Sequence, residues 1–196
     1  MPKNELIALS LLYGDPKHAY AINEIMKQVG FEEWSSVSKA SIYSCLKKLE
    51  KNGQVTVSTE RNSNMPERRI YAITEAGQEQ LQIELREALL AHENNYERLF
   101  LALVFGIGLP GTEILALLEQ RKEQIAQVII KEKEHLIMHE QFGVIHPQIL
   151  VGCGIKQLGI VIEMIDSIIE LLKDDPDYYY KSYMKCKQIY EQRETK

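Results

Sequence analysis

Residues 38–74 constrain the fold of this chain more than any other stretch. Ser38 is a good helix N-cap, because its hydroxyl can accept from a first-turn amide that has no intrahelical partner, and Asn52-Gly53 is a good stop. Between them Ile42, Cys45, Leu46 and Leu49 recur at i, i+3, i+4, i+7 and make one apolar face. The opposite face holds Ala40, Tyr43, Ser44, Lys47 and Lys51. It is small at its start, then aromatic, then basic, where a purely structural helix more commonly mixes Glu with Lys. Two alternating stretches follow, 54–59 with Val55 and Val57, and 68–74 with Arg69, Tyr71 and Ile73. Both read as strands, joined by a turn rich in Asn, Ser and Pro.

Upstream, residues 4–13 are nearly all apolar and predict a mostly buried helix, stopped by Gly14-Asp15-Pro16. A second helix is expected over 19–29, with Ile22, Ile25, Met26 and Val29 at helical spacing and Gly30 at its end. Residues 31–37 then form a loop whose Phe31 and Trp34 tuck under the domain. Helix, helix, helix, hairpin is the order of a winged helix-turn-helix. From Thr74, itself a cap, the pattern turns helical. Leu81, Leu85, Ala88, His92, Tyr96, Leu99 and Leu103 follow a near-heptad step, the pattern of a helix that buries one stripe against a partner. Breaks at 106–111 and 143–147 separate two further helices, 112–142 and 148–173, and a tail over 174–196 combines tyrosines with lysines. The expected fold is mostly α with a small β-wing. A winged helix-turn-helix DNA-binding domain spans 1–74, and a long-helix domain spans 75–196 for dimerisation and effector sensing.

Charge distribution matters more here than its sum of −5. Residues 36–72 hold seven Lys/Arg against three Asp/Glu, whereas residues 73–196 hold 13 against 20. A compact basic segment therefore sits in an otherwise acidic chain, and the acidic part should face away from a polyanion. Three widely spaced cysteines (Cys45, Cys153, Cys186) make no disulfide framework and point to a reducing compartment. Cys45, on the apolar helix face, reads as an inert core thiol. The apolar run at 99–109 is too short to span a bilayer, and that at 157–172 is interrupted by Glu163, Asp166 and Glu170, so a cytoplasmic protein with no membrane partner is expected. His135 and His139 share a helix face, but HLIMH lacks a third ligand at motif spacing, so no metal and no cofactor are expected. No phosphate loop, paired catalytic carboxylates or activated nucleophile emerges, and the chain reads as no enzyme.

Four motifs in order (Leu11-Leu12-Tyr13-Gly14, His18-Ala19-Tyr20, SKASIYSCLKKLE over 38–50 and RRIYAITEAG over 68–77) resemble the PadR family of bacterial transcriptional regulators. The family usually has Gly at Ala19, Pro-Gly at Lys39-Ala40 and Pro at Ser44, so the departures sit on the surface that would touch DNA. The helical part is similar to the longer PadR subgroup, whose C-terminal helices form the dimer. The resemblance implies a homodimeric repressor of double-stranded operator DNA. Its third helix enters the major groove, with Lys39, Ala40, Tyr43 and Ser44 near base edges, Lys47 and Lys51 on phosphates, and Ser38 and Ser41 also among the DNA-binding residues. Tyr20 would reach a phosphate from the second helix, with Lys17 and His18 beside it, and Arg61, Asn62, Asn64 and Arg68 would serve the wing. It also implies an aromatic effector, in a cavity between winged domain and helical part lined by Tyr96, Phe100, Phe105, Phe142 and His146. The alternative use of the same frame is a winged-helix module that docks a protein without specific DNA binding.

Overall fold

The computed structural model describes residues 2–28, 37–60, 68–91, 96–143 and 145–194. The elements run α1 (Lys3–Leu12), β1 (Lys17–His18), α2 (Ala19–Gln28), α3 (Lys39–Lys51), β2 (Val55–Glu60), β3 (Arg68–Ile73), α4 (Glu75–Leu90) and α5 (Glu97–Val104). After a 3-10 turn at Gly106–Gly108 come α6 (Gly111–Gln141), α7 (Ile145–Asp174) and α8 (Tyr178–Glu194). Two compact units result, Met1–Leu109 and Pro110–Lys196, so the first extends well past Thr74.

The first unit is built on α1, in which every residue from Glu5 to Leu12 is buried. It packs on α3, α4 and β3, which bring Ile42, Leu46, Leu49, Tyr71, Leu81 and Leu85 into the core. The sheet is antiparallel in the order β1-β3-β2, with Val55 opposite Ile73 and Glu60 opposite Arg68. Lys17 and His18, directly ahead of the expected helix, form a short strand against Tyr71 and Ile70. α2 starts at Ala19, where the helical spacing of Ile22, Ile25 and Met26 placed it. Phe31 and Trp34 lie outside the described residues.

The heptad stripe belongs to no single helix. α4 ends at Leu90, where Ala91 turns to extended backbone, and α5 starts at Glu97. Leu81, Leu85, Ala88, Leu99 and Leu103 are already buried within one protomer, with α4 and α5 packed together. Arg98 of α5 ties the two, donating to the buried Glu84 carboxylate at 3.1 Å. The periodicity reported which positions are buried but not what buries them. His92 lies outside the described residues.

In the second unit α6 and α7 form an antiparallel hairpin, with Lys122 on Asp166 at 2.5 Å and Lys173 on Glu119 at 3.1 Å. Ile114, Leu118, Arg121 and Ile125 of α6 are buried, as are Val161, Ile165, Ile169 and Leu172 of α7. Past Ile125 and before Val161, none of the described side chains is buried. Ile130, Ile137, Phe142, Ile145, Ile149 and Leu150 stand exposed there. α7 starts at Ile145, inside the expected break, because Pro147 falls in its first turn, where a missing N–H leaves nothing unsatisfied. By length and composition α7 is apolar enough to cross a membrane, with a mean hydropathy of 1.5 over its most apolar stretch. The tyrosine-rich tail is helical, as α8.

Candidate nucleic-acid interface

The candidate interface is organised by α3. Its start is closed by Ser38, whose hydroxyl oxygen accepts from the Ser41 amide at 3.3 Å, while the Ser41 hydroxyl donates to the Ser38 carbonyl at 2.6 Å. Ser38 and Ser41, two of the three serines expected to contact DNA, are thus engaged in holding the first turn. At the other end Gly53 adopts φ +73°, the left-handed region that favours glycine, and donates to the Glu50 carbonyl. Ile42, Leu46 and Leu49 are sealed against the core. The remaining stripe faces out, with Ala40, Ser44, Lys47 and Lys51 exposed and Lys39 and Tyr43 half-buried. Lys47 and Lys51 have no ion-pair partner among the described residues.

The other expected contacts divide three ways. Tyr20, in the first turn of α2, is 71% exposed. Lys17 and His18 are already engaged, Lys17 Nζ on the Asp15 carbonyl at 3.2 Å and His18 Nε2 3.9 Å from a Glu60 carboxylate oxygen. Arg68 opens β3 in an exposed position, with Arg69 exposed beside it. Arg61, Asn62 and Asn64 lie outside the described residues.

One basic residue of α3 behaves differently. Lys48 extends its ammonium to Glu5 of α1, at 2.5 Å, and the carboxylate holds it above the ordinary lysine range. Glu5 stands in the polar first turn of α1, directly before the apolar run from Leu6, and nothing in its sequence position marks Lys48 as its partner. Cys45 sits half-buried on the same helix. Burial pushes its thiol up, and the Glu5 carboxylate adds to the effect. A thiol held protonated is a poor nucleophile.

Of the residues expected around an aromatic effector, Tyr96, Phe100 and Phe105 belong to the first unit, on α5 and its ends, and Phe142 and His146 to the second. Phe142 is 74% exposed. A cleft of about 500 Å³ between α6 and α7 is lined instead by Glu119, Lys122, Glu123, Asp166, Glu170 and Lys173 over Ala126 and Ile169. His135 faces Glu132 at 3.6 Å, and among the described residues no group of three or more His, Cys, Asp or Glu could hold a metal ion.

Residues 8–83 match the model of the transcriptional regulator PadR-like family. No curated protein matches the chain. Among solved structures, it is similar to smu.1604c from Streptococcus mutans UA159, at 24% identity over 85% of this chain and 98% of that one, with a TM-score of 0.41. It is also similar to Bacillus subtilis PadR in complex with operator DNA, at 18% identity over 87% and 99%, TM-score 0.41. The same Bacillus subtilis protein in complex with p-coumaric acid matches at 18% identity over 86% and 98%, TM-score 0.36.

Proposed function

The chain carries a transcriptional regulator PadR-like domain over residues 8–83, and from that premise we propose that it is a homodimeric, sequence-specific repressor of double-stranded operator DNA. The observation that carries the reading is the outward stripe of α3. Its small residues near the capped end allow close approach to base edges, with Tyr43 and Ser44 behind them. Lys47 and Lys51 further along are exposed and free to neutralise phosphates. The exposed arginines at the start of β3 add positive charge on the wing side.

Dimerisation rests on the outer half of the α6–α7 hairpin. A contiguous exposed apolar surface on a single protomer marks an interaction surface. Ile137, Phe142, Ile145, Ile149 and Leu150 stand exposed toward the turn of the hairpin, and a second copy of this chain is the occupant we assign to them. An aromatic effector that relieves binding completes the proposal. Thermal melting with and without phenolic acids tests that part, and no shift with any of them would remove it.

The deciding experiment is a salt-titrated binding assay against the DNA upstream of the protein's own gene. Tight, palindrome-dependent binding that weakens steeply with salt is expected. Binding no stronger than to random duplex would transfer the function to a remote operator or to protein docking by the same frame. Sedimentation of the free protein should give a dimer. A monomer that partitions onto lipid vesicles would instead assign the α7 surface to a membrane.

A further inference from the structure

A carboxylate buried in an apolar helix is costly unless it is paired. Glu5 is 7% exposed within α1, and its partner Lys48 belongs to the helix proposed to read DNA. On α3 Lys48 lies about 100° around the axis from Lys47, between the outward stripe and Cys45. The ion pair therefore grips α3 at the border between its DNA face and its buried face. Lys48 could otherwise swing with Lys47 and Lys51 onto the phosphate backbone, since its side chain remains 58% exposed.

We propose that Glu5 is a positioning residue for DNA recognition: it holds Lys48 away from the phosphates and fixes the roll of α3 about its own axis. This assignment rests on the DNA-binding reading above. Its function is selectivity. A third mobile lysine would strengthen binding to any duplex equally, because phosphate contacts carry no sequence information. A lysine tied to the core adds nothing to that background, while the turn bearing Tyr43 and Ser44 keeps one orientation.

The salt dependence of binding to a random-sequence duplex separates this role from a purely structural one. Each phosphate contact contributes roughly 0.9 to the slope of log affinity against log salt. Glu5→Gln, nearly isosteric, releases Lys48, so the slope should steepen by about 0.9 and affinity for random duplex at low salt should rise several-fold. Lys48→Gln should leave the slope at the wild-type value, and Lys48→Arg, which can keep the pair, should match wild type in slope and melting. A slope unchanged in Glu5→Gln well below its melting temperature would overturn the proposal, as would a slope lowered by Lys48→Gln. Should Glu5→Gln fail to fold, the Glu5→Leu/Lys48→Met double variant replaces the pair with apolar contacts and should restore folding at the wild-type slope; a shallower slope there overturns the proposal too. Wild-type protein with no salt-dependent DNA binding at all would bring down the DNA-binding reading itself, a result distinct from any of these.

Discussion

At Gly77 the backbone of α4 passes so close to Gln54 that a β-carbon would overlap the Gln54 carbonyl oxygen. Nearby, the Thr74 hydroxyl accepts from the Gly77 amide at 3.1 Å and donates to the Gly53 carbonyl at 2.8 Å. Gly77→Ala should therefore force the α4 start away from β2 and destabilise the protein by about 1–3 kcal/mol, seen as a lower urea midpoint. The last glycine of the RRIYAITEAG motif has a packing reason that the sequence alone did not supply. Cys45 makes a second residue-scale prediction. Its raised pKa means less thiolate at any given pH near neutrality, so iodoacetamide should modify Cys45 more slowly than the exposed Cys153 and Cys186 at pH 8. Mass spectrometry of peptides resolves the three, and equal rates would contradict the burial of Cys45. For the proposed DNA face, Lys47→Ala and Lys51→Ala should each lower the salt slope by about 0.9. These two lysines were legible as an exposed pair. Lys48, their neighbour, was not distinguishable from them, because its partner lies 43 residues away on another helix.

Among the elements, α3 and the β2–β3 hairpin were readable because their signals are local: a cap, a stop, one apolar stripe and strict alternation. α4 and α5 were not readable as two helices, since the stripe continues in phase across residues 81–103 while the chain turns at Ala91. The difference has a direct test. A chain ending at Leu109 should fold cooperatively, whereas one ending at Thr74 loses Leu81, Leu85 and Leu89 and should be largely unfolded by circular dichroism. The tyrosine-rich tail gives another test. Burial pushes the Tyr179 phenol up, with Tyr178 beside it at 5.7 Å between ring centroids adding to the shift. The folded state thus holds this proton more tightly than the unfolded state does. The associated stability is complete below the unfolded tyrosine pKa of about 10 and is lost as pH rises beyond it. Phenolate absorbance should show a late-titrating tyrosine that Tyr179→Phe removes.

For the whole molecule, charge asymmetry was plain from composition, with the bases gathered in residues 36–72 and the acids beyond. Which helices present an unfilled apolar surface was not plain, because periodicity marks α4 and α6 alike while only the structure reveals which stripe is filled. Ile149→Glu on the exposed part of α7 should give monomers by sedimentation, with weakened operator affinity and an intact first unit. The two long helices of the second unit, α6 and α7, are about 45 Å long, yet their buried residues stop at Ile125 and Val161. On the dimer reading, an outer hairpin with no interior of its own acquires one only when another protomer arrives. Its order is then set by mass action, so protection of its amides from exchange should climb with protein concentration. The outer hairpin would count copies: in a dilute cell it frays and the operator stands open, and only an accumulated supply of the regulator assembles the form that closes it.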